Sequence, residues 1–162
     1  RLYPDVATFA FFCRKANILK LKKKYYHDDL IKLGRGIVFH ITPSNVPVNF
    51  AYSLIVGMLS GSSNIVKVPS KKFDQVKIII EAINVLSEIN EHESVSKSIV
   101  LVRYDRSNNA TAIFSSLCDV WVIWGGDETI NQIRKNVSPP RAFDVTFADR
   151  YSICAINANK LN

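Results

Sequence analysis

The feature that most constrains this fold is a buried strand that leads through a short polar loop into a helix. The apolar run Ile37–Ile41 ends in the polar residues 42–45, and Pro47 then opens a second apolar run. Proline is favoured in the first turn of a helix, so the pattern predicts a helix over residues 47–60, closed by Gly61. The first N–H groups of a helix lack partners within it, and they can bind anionic or oxygen-rich ligands.

The rest of the chain alternates between extended and helical patterns. Strands are predicted at 36–41, 64–68, 98–104 and 120–124, and helices at 5–24, 47–60, 74–89, 108–117 and 127–135. Two more short apolar segments follow Pro139-Pro140, at 142–147 and 152–156, and residues 159–161 resemble a helix start. Strands that alternate with helices and are apolar on both faces indicate an α/β fold with a parallel sheet covered on both sides.

Length and composition exclude several other classes of protein. The 162 residues are 48% apolar and 22% charged, which suits one globular domain and argues against disorder or a fibrous protein. The apolar core of the longest uncharged stretch, residues 46–59, is shorter than the ~20 residues that a spanning helix needs, so we expect no membrane span. The chain stops where a helix would begin, and we therefore expect it to be a piece of a longer protein.

The three cysteines favour a reducing compartment over a disulfide-bonded secreted domain. Their number is odd, their spacing shows no pairing and no signal peptide precedes them, so we expect a cytoplasmic protein. Cys13 falls on the apolar face of the first predicted helix, Cys118 at a helix end and Cys154 in an apolar strand. None has a setting that would lower the pKa of its thiol, and all three are predicted to be structural. The histidines share no ligand spacing with them, so we expect no metal site.

The chain is basic, with a net charge of +7, and its lysines cluster in two places. One cluster, residues 20–24, ends the first predicted helix, and the other comprises Lys67, Lys71 and Lys72. These charges fit a solvated surface with cations at helix ends, and they equally fit attraction for phosphorylated ligands such as NADPH or coenzyme A. Aromatic and basic residues do not interleave in a nucleic-acid motif, so nucleic acid is not an expected partner.

Three predicted strand ends carry unusual polar loops. We call residues 42–45 the first loop, residues 67–71 the second loop and residues 124–127 the third loop. Because the carboxyl ends of parallel strands meet at one edge of a sheet, where ligands bind, one dinucleotide could contact all three loops. The glycine fingerprint G-x-G-x-x-G is absent from the sequence. A cofactor site in this chain must therefore have a different design.

The run from residue 36 to residue 70 resembles the aldehyde dehydrogenase superfamily, whose order is strand, P-W-N-F-P, helix, small-residue turn, strand and K-P-S. Within it, GRGIVFHITPSNVPVNFAYS, NIVKVPS and VWVIWGGDETI are most similar to the LuxC-type fatty-acyl-CoA reductases known from bioluminescence operons. The resemblance implies that residues 1–162 form the NADP-binding domain of the aldehyde dehydrogenase fold, a Rossmann-like parallel sheet with helices on both faces.

The same resemblance implies a reaction. The whole enzyme would reduce a long-chain fatty-acyl-CoA or other acyl thioester to the aldehyde with NADPH, through an acyl-cysteine intermediate. Its nucleophilic cysteine would lie in a following domain outside this chain, and the full-length protein would be a homo-oligomer. A γ-glutamyl phosphate reductase or a coenzyme-A-acylating aldehyde dehydrogenase shares the scaffold, and a non-catalytic module that kept the fold is a further alternative.

A catalytic role for Asn45 follows from the resemblance. Pro43, Ser44, Asn45 and Pro47 match P-W-N-x-P, with serine in place of the usual tryptophan. The matching asparagine donates its side-chain amide to the thiohemiacetal oxyanion, and such a donor contributes roughly 3–4 kcal/mol of transition-state stabilisation. From the residues alone, Asn45 could instead cap the following helix. Both roles could also coexist if Ser44 supplied the cap.

The cofactor contacts implied by the resemblance come from all three loops. They are Ile41, Thr42, Pro43 and Ser44 around the first loop, Lys67, Pro69, Ser70 and Lys71 in the second, and Gly125, Gly126, Asp127 and Ile130 in and after the third. Lys71 stands where many NAD-preferring members have a glutamate for the ribose 2′-hydroxyl, so a cation there predicts NADP(H), although an exposed surface lysine is the alternative. Lys67 lies one residue before the family position, which reverses its direction along the strand and leaves its contact with the ribose open.

The third loop departs from the family pattern in one residue. Gly126 matches a glycine that lets the backbone approach the pyrophosphate closely. Asp127 replaces a serine, and because its carboxylate would repel the pyrophosphate, we predict that it turns away and caps the helix. Ile130 matches a valine near the adenine or phosphates, and a core position fits it equally well. The family's general-base glutamate is replaced by Ala148, as suits a reductase, and Asp149 stays an alternative base.

Overall fold

The computed structural model describes residues 2–27, 29–105 and 107–156. In this part of the chain, parallel strands form one five-stranded sheet in the order β3-β2-β1-β4-β5. The strands are β1 Ile37–Ile41, β2 Ser63–Lys67, β3 Ile99–Val102, β4 Val120–Trp124 and β5 Phe143–Phe147. The chain builds outward from β1 through β2 to β3, crosses back, and builds outward again through β4 to β5. In open α/β sheets, ligands bind at such a reversal.

Helices cover both faces of the sheet, which confirms the predicted α/β class. They are α1 Pro4–Phe12, α2 Lys15–Tyr25, α3 Asn49–Leu59, α4 Asp74–Ser87, α5 Glu93–Ser96 after a 3-10 turn at Asn90–His92, α6 Ala110–Leu117 and α7 Asp127–Ile133. Crossovers of one hand that run in opposite directions along a sheet lie on opposite faces. Accordingly α1, α3 and α4 pack on what we call the first face, and α6 and α7 on the second face.

The single helix predicted over residues 5–24 is wrong, because the structure has two helices there. Arg14 has an extended backbone, with φ −59° and ψ 140°, and separates α1 from α2. The Asn17 side chain donates a hydrogen bond to the carbonyl oxygen of Phe12 at 2.8 Å and so satisfies a group at the end of α1. Phe9 and Phe12 hold α1 against Tyr52 of α3 through edge-on ring contacts, whereas α2 carries no buried residue.

The strand predicted around Cys154 is also wrong. Residues 151–156, the last that the structure describes, have no regular secondary structure and are exposed. An apolar segment becomes a strand only beside a pairing edge, and this segment does not pair with β5. The predicted helix start at 159–161 lies outside the described residues.

The predicted end of α3 at Gly61 is confirmed by its backbone. Gly61 has φ +78°, a left-handed conformation that side chains other than glycine disfavour. It follows Ser60, the C-cap residue of α3. The glycine therefore ends the helix and turns the chain into β2.

The close packing of α3 on the sheet gives a testable consequence at Gly57. A Cβ atom there would lie 2.0 Å from Asn64 Oδ1 and 2.9 Å from His40 Nε2. Alanine would gain about 1 kcal/mol of helix propensity, but a contact of 2.0 Å puts the overpacking cost in the upper part of its usual range, about 2–3 kcal/mol, so we expect Gly57→Ala to destabilise the protein by about 1–2 kcal/mol. The urea unfolding midpoint measures this, with the exposed Val56→Ala as a control. An unchanged or raised midpoint for Gly57→Ala would contradict the packing.

Candidate functional site

The carboxyl ends of β2, β1 and β4 lie side by side. Ile41 is in register with Lys67 of β2 and with Ile123 of β4. Neighbouring strands are about 4.8 Å apart, so the three loops leave the sheet within about 10 Å of one another. The structure therefore brings the three loops to one edge, on both sides of the strand reversal.

The first loop begins inside the core and ends at the surface. Ile41 is buried in the second-face core, and the buried Thr42 donates a hydrogen bond from Oγ1 to the carbonyl oxygen of Lys67 at 2.7 Å. This bond ties the first loop to the second. Pro43 is half-buried, and Ser44 and Asn45 are exposed.

Neither Ser44 nor Asn45 caps α3, so the interpretation of either residue as the cap of this helix is wrong. The helix begins at Asn49, two residues later than predicted, and its N-cap residue is Val48. Among the described residues, no side chain makes a cap hydrogen bond to it. The Asn45 amide is thus at the sheet edge without a capping role.

The second loop carries two cations in different settings. In a parallel sheet, residues in register share a face, so Lys67 lies on the second face with Ile41 and Ile123. Its Nζ is 4.3 Å from the centre of the Tyr104 ring. Pro69 is buried, whereas Ser70 and Lys71 are exposed, and Lys71 Nζ is 5.3 Å from the Phe73 ring centre. Lys67 therefore shares a face with the start of α7, and Lys71 does not pack into the core.

In the third loop, the prediction that Asp127 caps α7 is wrong. Gly126 is the N-cap residue, and Asp127 is the first residue of the helix. The Asp127 backbone N–H donates instead to Asp149 Oδ2 at 3.1 Å. A Cβ atom on Gly126 would lie 2.8 Å from that oxygen, so the lack of a side chain there leaves room for a carboxylate. Gly125 and Gly126 are half-buried and Asp127 is exposed.

Ile130 packs in the core, as the sequence also allowed. It is 3% exposed and contacts the second-face cluster that includes Ile123 and Ile133. Its position beneath the third loop supports the start of α7.

An aromatic stack joins the ends of β4 and β5, and the sequence analysis missed it together with the Asp149 contact. The rings of Trp124 and Phe147 are 3.8 Å apart and 8° from parallel, and the Gly125 N–H donates to the Phe147 carbonyl oxygen at 3.2 Å. The available signal was positional. Both aromatic residues end strands that proved to be neighbours, and Asp149 follows two residues after Phe147.

Two of the three thiols of this chain, Cys13 and Cys118, are poorly suited to act as nucleophiles. Cys118 is fully buried, and burial raises the pKa of its thiol to about 11, so it is protonated at neutral pH. Burial also raises the pKa of Cys13. Cys154 is exposed.

In residues 2–27, 29–105 and 107–156, no three or more His, Cys, Asp or Glu side chains are grouped to hold a metal ion. In the same residues, no helix is long and apolar enough to span a membrane.

An apolar cleft lies away from the polar loops. It encloses about 450 Å³ on the first face, between α1, α3 and α4, and includes Phe9, Leu54 and Ile83 in its lining. It reaches the start of β3, at the opposite edge of the sheet from the three loops. The polar candidate site and the apolar cleft are therefore separate.

Comparison with known proteins identifies the family. Residues 18–160 match the family model described as acyl-CoA reductase (LuxC). The chain belongs to this family. It is 24% identical over 128 residues to a long-chain acyl-protein thioester reductase of Aliivibrio fischeri, a match that covers 78% of this chain and 26% of that protein.

A solved structure shares the fold. The crystal structure of an NAD-dependent benzaldehyde dehydrogenase from Corynebacterium glutamicum matches 70% of this chain with a TM-score of 0.54 at 15% sequence identity. The match covers 24% of that chain. The predicted aldehyde dehydrogenase fold is thus confirmed, and the chain spans about a quarter of the length of either relative.

Proposed function

We propose that this chain is the nucleotide-binding part of an acyl-CoA reductase that reduces a long-chain acyl thioester to the aldehyde with NADPH. The observation that carries the proposal is the meeting of the three loops at the strand reversal. Membership of the acyl-CoA reductase family supports the reaction class. Because the chain spans only about a quarter of its relatives, we propose that the nucleophilic cysteine belongs to another part of the polypeptide.

The residues of the edge fit a phosphorylated nucleotide. The Asp149 carboxylate already accepts a hydrogen bond from the first N–H of α7, which supports an anion-binding character for this helix start. The lack of a side chain at Gly126 leaves the room that this carboxylate occupies, and the ammonium groups of Lys67 and Lys71 supply positive charge at the same edge. We assign the ribose and its phosphate to the second loop, with Ser70 and one of the two lysines, and the pyrophosphate to Gly125-Gly126. NADP(H), when bound, supplies the hydride.

Asn45 is the residue that we assign to the reacting carbonyl. When a thiolate attacks the acyl thioester, a C–S bond forms and the carbonyl oxygen becomes an oxyanion. The Asn45 amide donates a hydrogen bond to that oxygen, and collapse of the intermediate expels the coenzyme A thiolate. The same amide donates to the oxyanion of the second addition, in which the hydride adds to the acyl-cysteine carbonyl. Collapse of that second intermediate releases the aldehyde and restores the thiolate.

Removal of the Asp149 charge is expected to tighten nucleotide binding. The carboxylate lies where we assign the pyrophosphate, so Asp149→Asn relieves repulsion between like charges. The group is exposed and screened by solvent, so we expect the Kd for NADPH to fall by only about two- to fivefold. Calorimetric titration measures this, with Glu81→Gln on α4 as a control of equal charge change. Weaker binding by Asp149→Asn would mean that the carboxylate contributes to the site.

The class of substrate that we propose is the long-chain acyl thioester. The relative from Aliivibrio fischeri is named for an acyl-protein thioester, whereas the family is named for acyl-CoA. We propose that the whole enzyme accepts long-chain acyl thioesters, and that it acts in the cytoplasm as a homo-oligomer. The natural polypeptide should be assayed for NADPH oxidation and aldehyde release with acyl-CoA, an acylated protein and an acyl phosphate. Turnover of the acyl phosphate alone would overturn the thioester assignment, and turnover of none would favour a non-catalytic protein.

A further inference from the structure

A chain of polar side chains crosses the first face of the sheet beneath the third loop. His40 Nδ1 is 2.7 Å from Ser53 Oγ, and His40 Nε2 is 3.0 Å from Asn64 Oδ1. Trp124 Nε1 is 3.3 Å from the same Ser53 oxygen. His40, Ser53 and Asn64 are 1%, 6% and 1% exposed, so solvent does not replace the two hydrogen bonds of His40. These hydrogen-bonded side chains form what we call the hydrogen-bond chain, which links β2, β1, α3 and β4.

The direction of every bond in the hydrogen-bond chain can be assigned from its two ends, Asn64 and Trp124. Asn64 donates from Nδ2 to the Ser62 carbonyl oxygen at 2.7 Å, which leaves Asn64 Oδ1 as an acceptor. His40 Nε2 must then carry the hydrogen, and in a neutral ring Nδ1 accepts. Burial lowers the pKa of His40, which keeps the ring neutral. The Ser53 hydroxyl therefore donates to His40 and accepts from the indole N–H of Trp124.

A nucleophile, a base and an orienting residue can show the same connectivity, but burial argues against catalysis here. Ser53 is 6% exposed and its oxygen already bonds to both His40 and Trp124, so a substrate carbonyl would have to displace the indole to reach it. The chain of bonds ends instead at Trp124, directly before Gly125-Gly126. The hydrogen-bond chain therefore affects function through Trp124.

Trp124 connects this chain to the candidate nucleotide site. Its indole stacks on Phe147 at 3.8 Å, and the next residue, Gly125, hydrogen-bonds to the Phe147 carbonyl. We propose that Ser53, oriented by His40, is a positioning residue that fixes the Trp124 indole and thereby the third loop that receives the nucleotide. The inference rests on the proposed function, because it assigns Ser53 a role in the same site.

Loss of the Ser53 hydroxyl should release the indole. The Ser53→Ala variant leaves the partly buried Trp124 N–H and the buried His40 Nδ1 without their partners, and a buried group in that state is costly. The indole then turns to recover a partner, and the third loop moves with it. We expect the Kd for NADPH to rise by about three- to tenfold, since one buried hydrogen bond contributes about a factor of five. Ser53→Thr keeps the hydroxyl that both hydrogen bonds use, and residue 53 borders a groove of about 440 Å³.

The test combines a local signal with a binding measurement on the natural polypeptide that contains this chain. Tryptophan is replaced by 5-fluorotryptophan, the Trp124 resonance is assigned by its loss in Trp124→Phe, and NADPH is titrated by calorimetry. We expect Ser53→Ala to shift the Trp124 fluorine resonance and weaken NADPH binding, and Ser53→Thr to stay near wild type in both. If Ser53→Ala fails to fold, Trp124→Phe supplies the binding test, because it removes the N–H and keeps the stack on Phe147.

Each other outcome overturns a specific part of the inference. An unshifted resonance in Ser53→Ala would refute the hydrogen-bond chain. A shifted resonance with unchanged NADPH affinity would refute the positioning role while leaving the chain of bonds intact. If wild-type protein binds no NADPH, the proposed function fails and the positioning role fails with it, and the resonance still reports whether the hydrogen bonds exist.

Discussion

Replacement of Asn45 by alanine is expected to lower kcat for acyl thioester reduction by about 100- to 1,000-fold, while the Kd for NADPH stays within about twofold. The amide is assigned to an oxyanion that exists only after the thiolate has attacked, so its loss raises the barrier without weakening ground-state binding. The Asn45→Asp variant keeps the shape, removes the donor and adds a negative charge, and should be at least as impaired. Steady-state and single-turnover kinetics of the natural polypeptide measure the effect.

The structure also fixes the stability control for this experiment. A helix cap contributes about 0.5–2 kcal/mol, and Asn45 does not cap α3, so Tm should not fall in Asn45→Ala. The exposed Asn84→Ala on α4 is the matched control, and it should retain both kcat and Tm. Full activity in Asn45→Ala would contradict the catalytic assignment, and a lowered Tm together with a modest loss of kcat would favour a structural role.

The second large effect is expected from reversing the charge at Lys71. We expect Lys71→Glu to lower the preference for NADPH over NADH by about tenfold or more at low ionic strength, because a cation beside the 2′-phosphate becomes an anion. The carboxylate can also accept a hydrogen bond from the 2′-hydroxyl of NADH. Calorimetric titration of both nucleotides measures the preference, and added salt should reduce the difference.

Two comparisons separate a direct contact between Lys71 and the 2′-phosphate from the general effect of positive charge on nucleotide binding. Lys72→Glu makes the same charge change at the adjacent exposed lysine, and it should alter the preference by less than about threefold. Lys67→Gln removes the other candidate cation, which lies on the second face. A loss confined to Lys67→Gln would transfer the phosphate contact to that residue. Tighter binding of NADH than NADPH by the wild-type protein would refute the NADP(H) proposal.

Local patterns in the sequence were sufficient to predict the α/β class and the polar loops at the strand ends. The apolar run of β1, the polar residues after it and the glycine that ends α3 are local signals, and the structure has each of them. The break between α1 and α2 was not predictable from periodicity, because it lies in the extended backbone of Arg14 and in a side-chain hydrogen bond from Asn17 to the end of α1. The apolar spacing continues across the break and therefore gives no sign of it.

The errors in the candidate site arose from contacts between distant parts of the chain. Asp127 was predicted to turn away from the pyrophosphate and cap α7, but Asp149 accepts the hydrogen bond from the first N–H of the helix, from just after the end of β5. The stack of Trp124 on Phe147 depends in the same way on β5 being the neighbour of β4. The sequence did not establish that pairing, so neither contact could be inferred. The roles of individual loop residues depend on the bound nucleotide and stay predictions.

The most direct test of the nucleotide site is hydrogen–deuterium exchange of the natural polypeptide with and without NADPH. We predict slower exchange in peptides that cover residues 41–45, 67–71 and 124–130, and unchanged exchange at the opposite edge of the sheet, around residues 34–36 and 61–63. Protection confined to that opposite edge, or no protection in any of the three loops at saturating NADPH, would contradict the account.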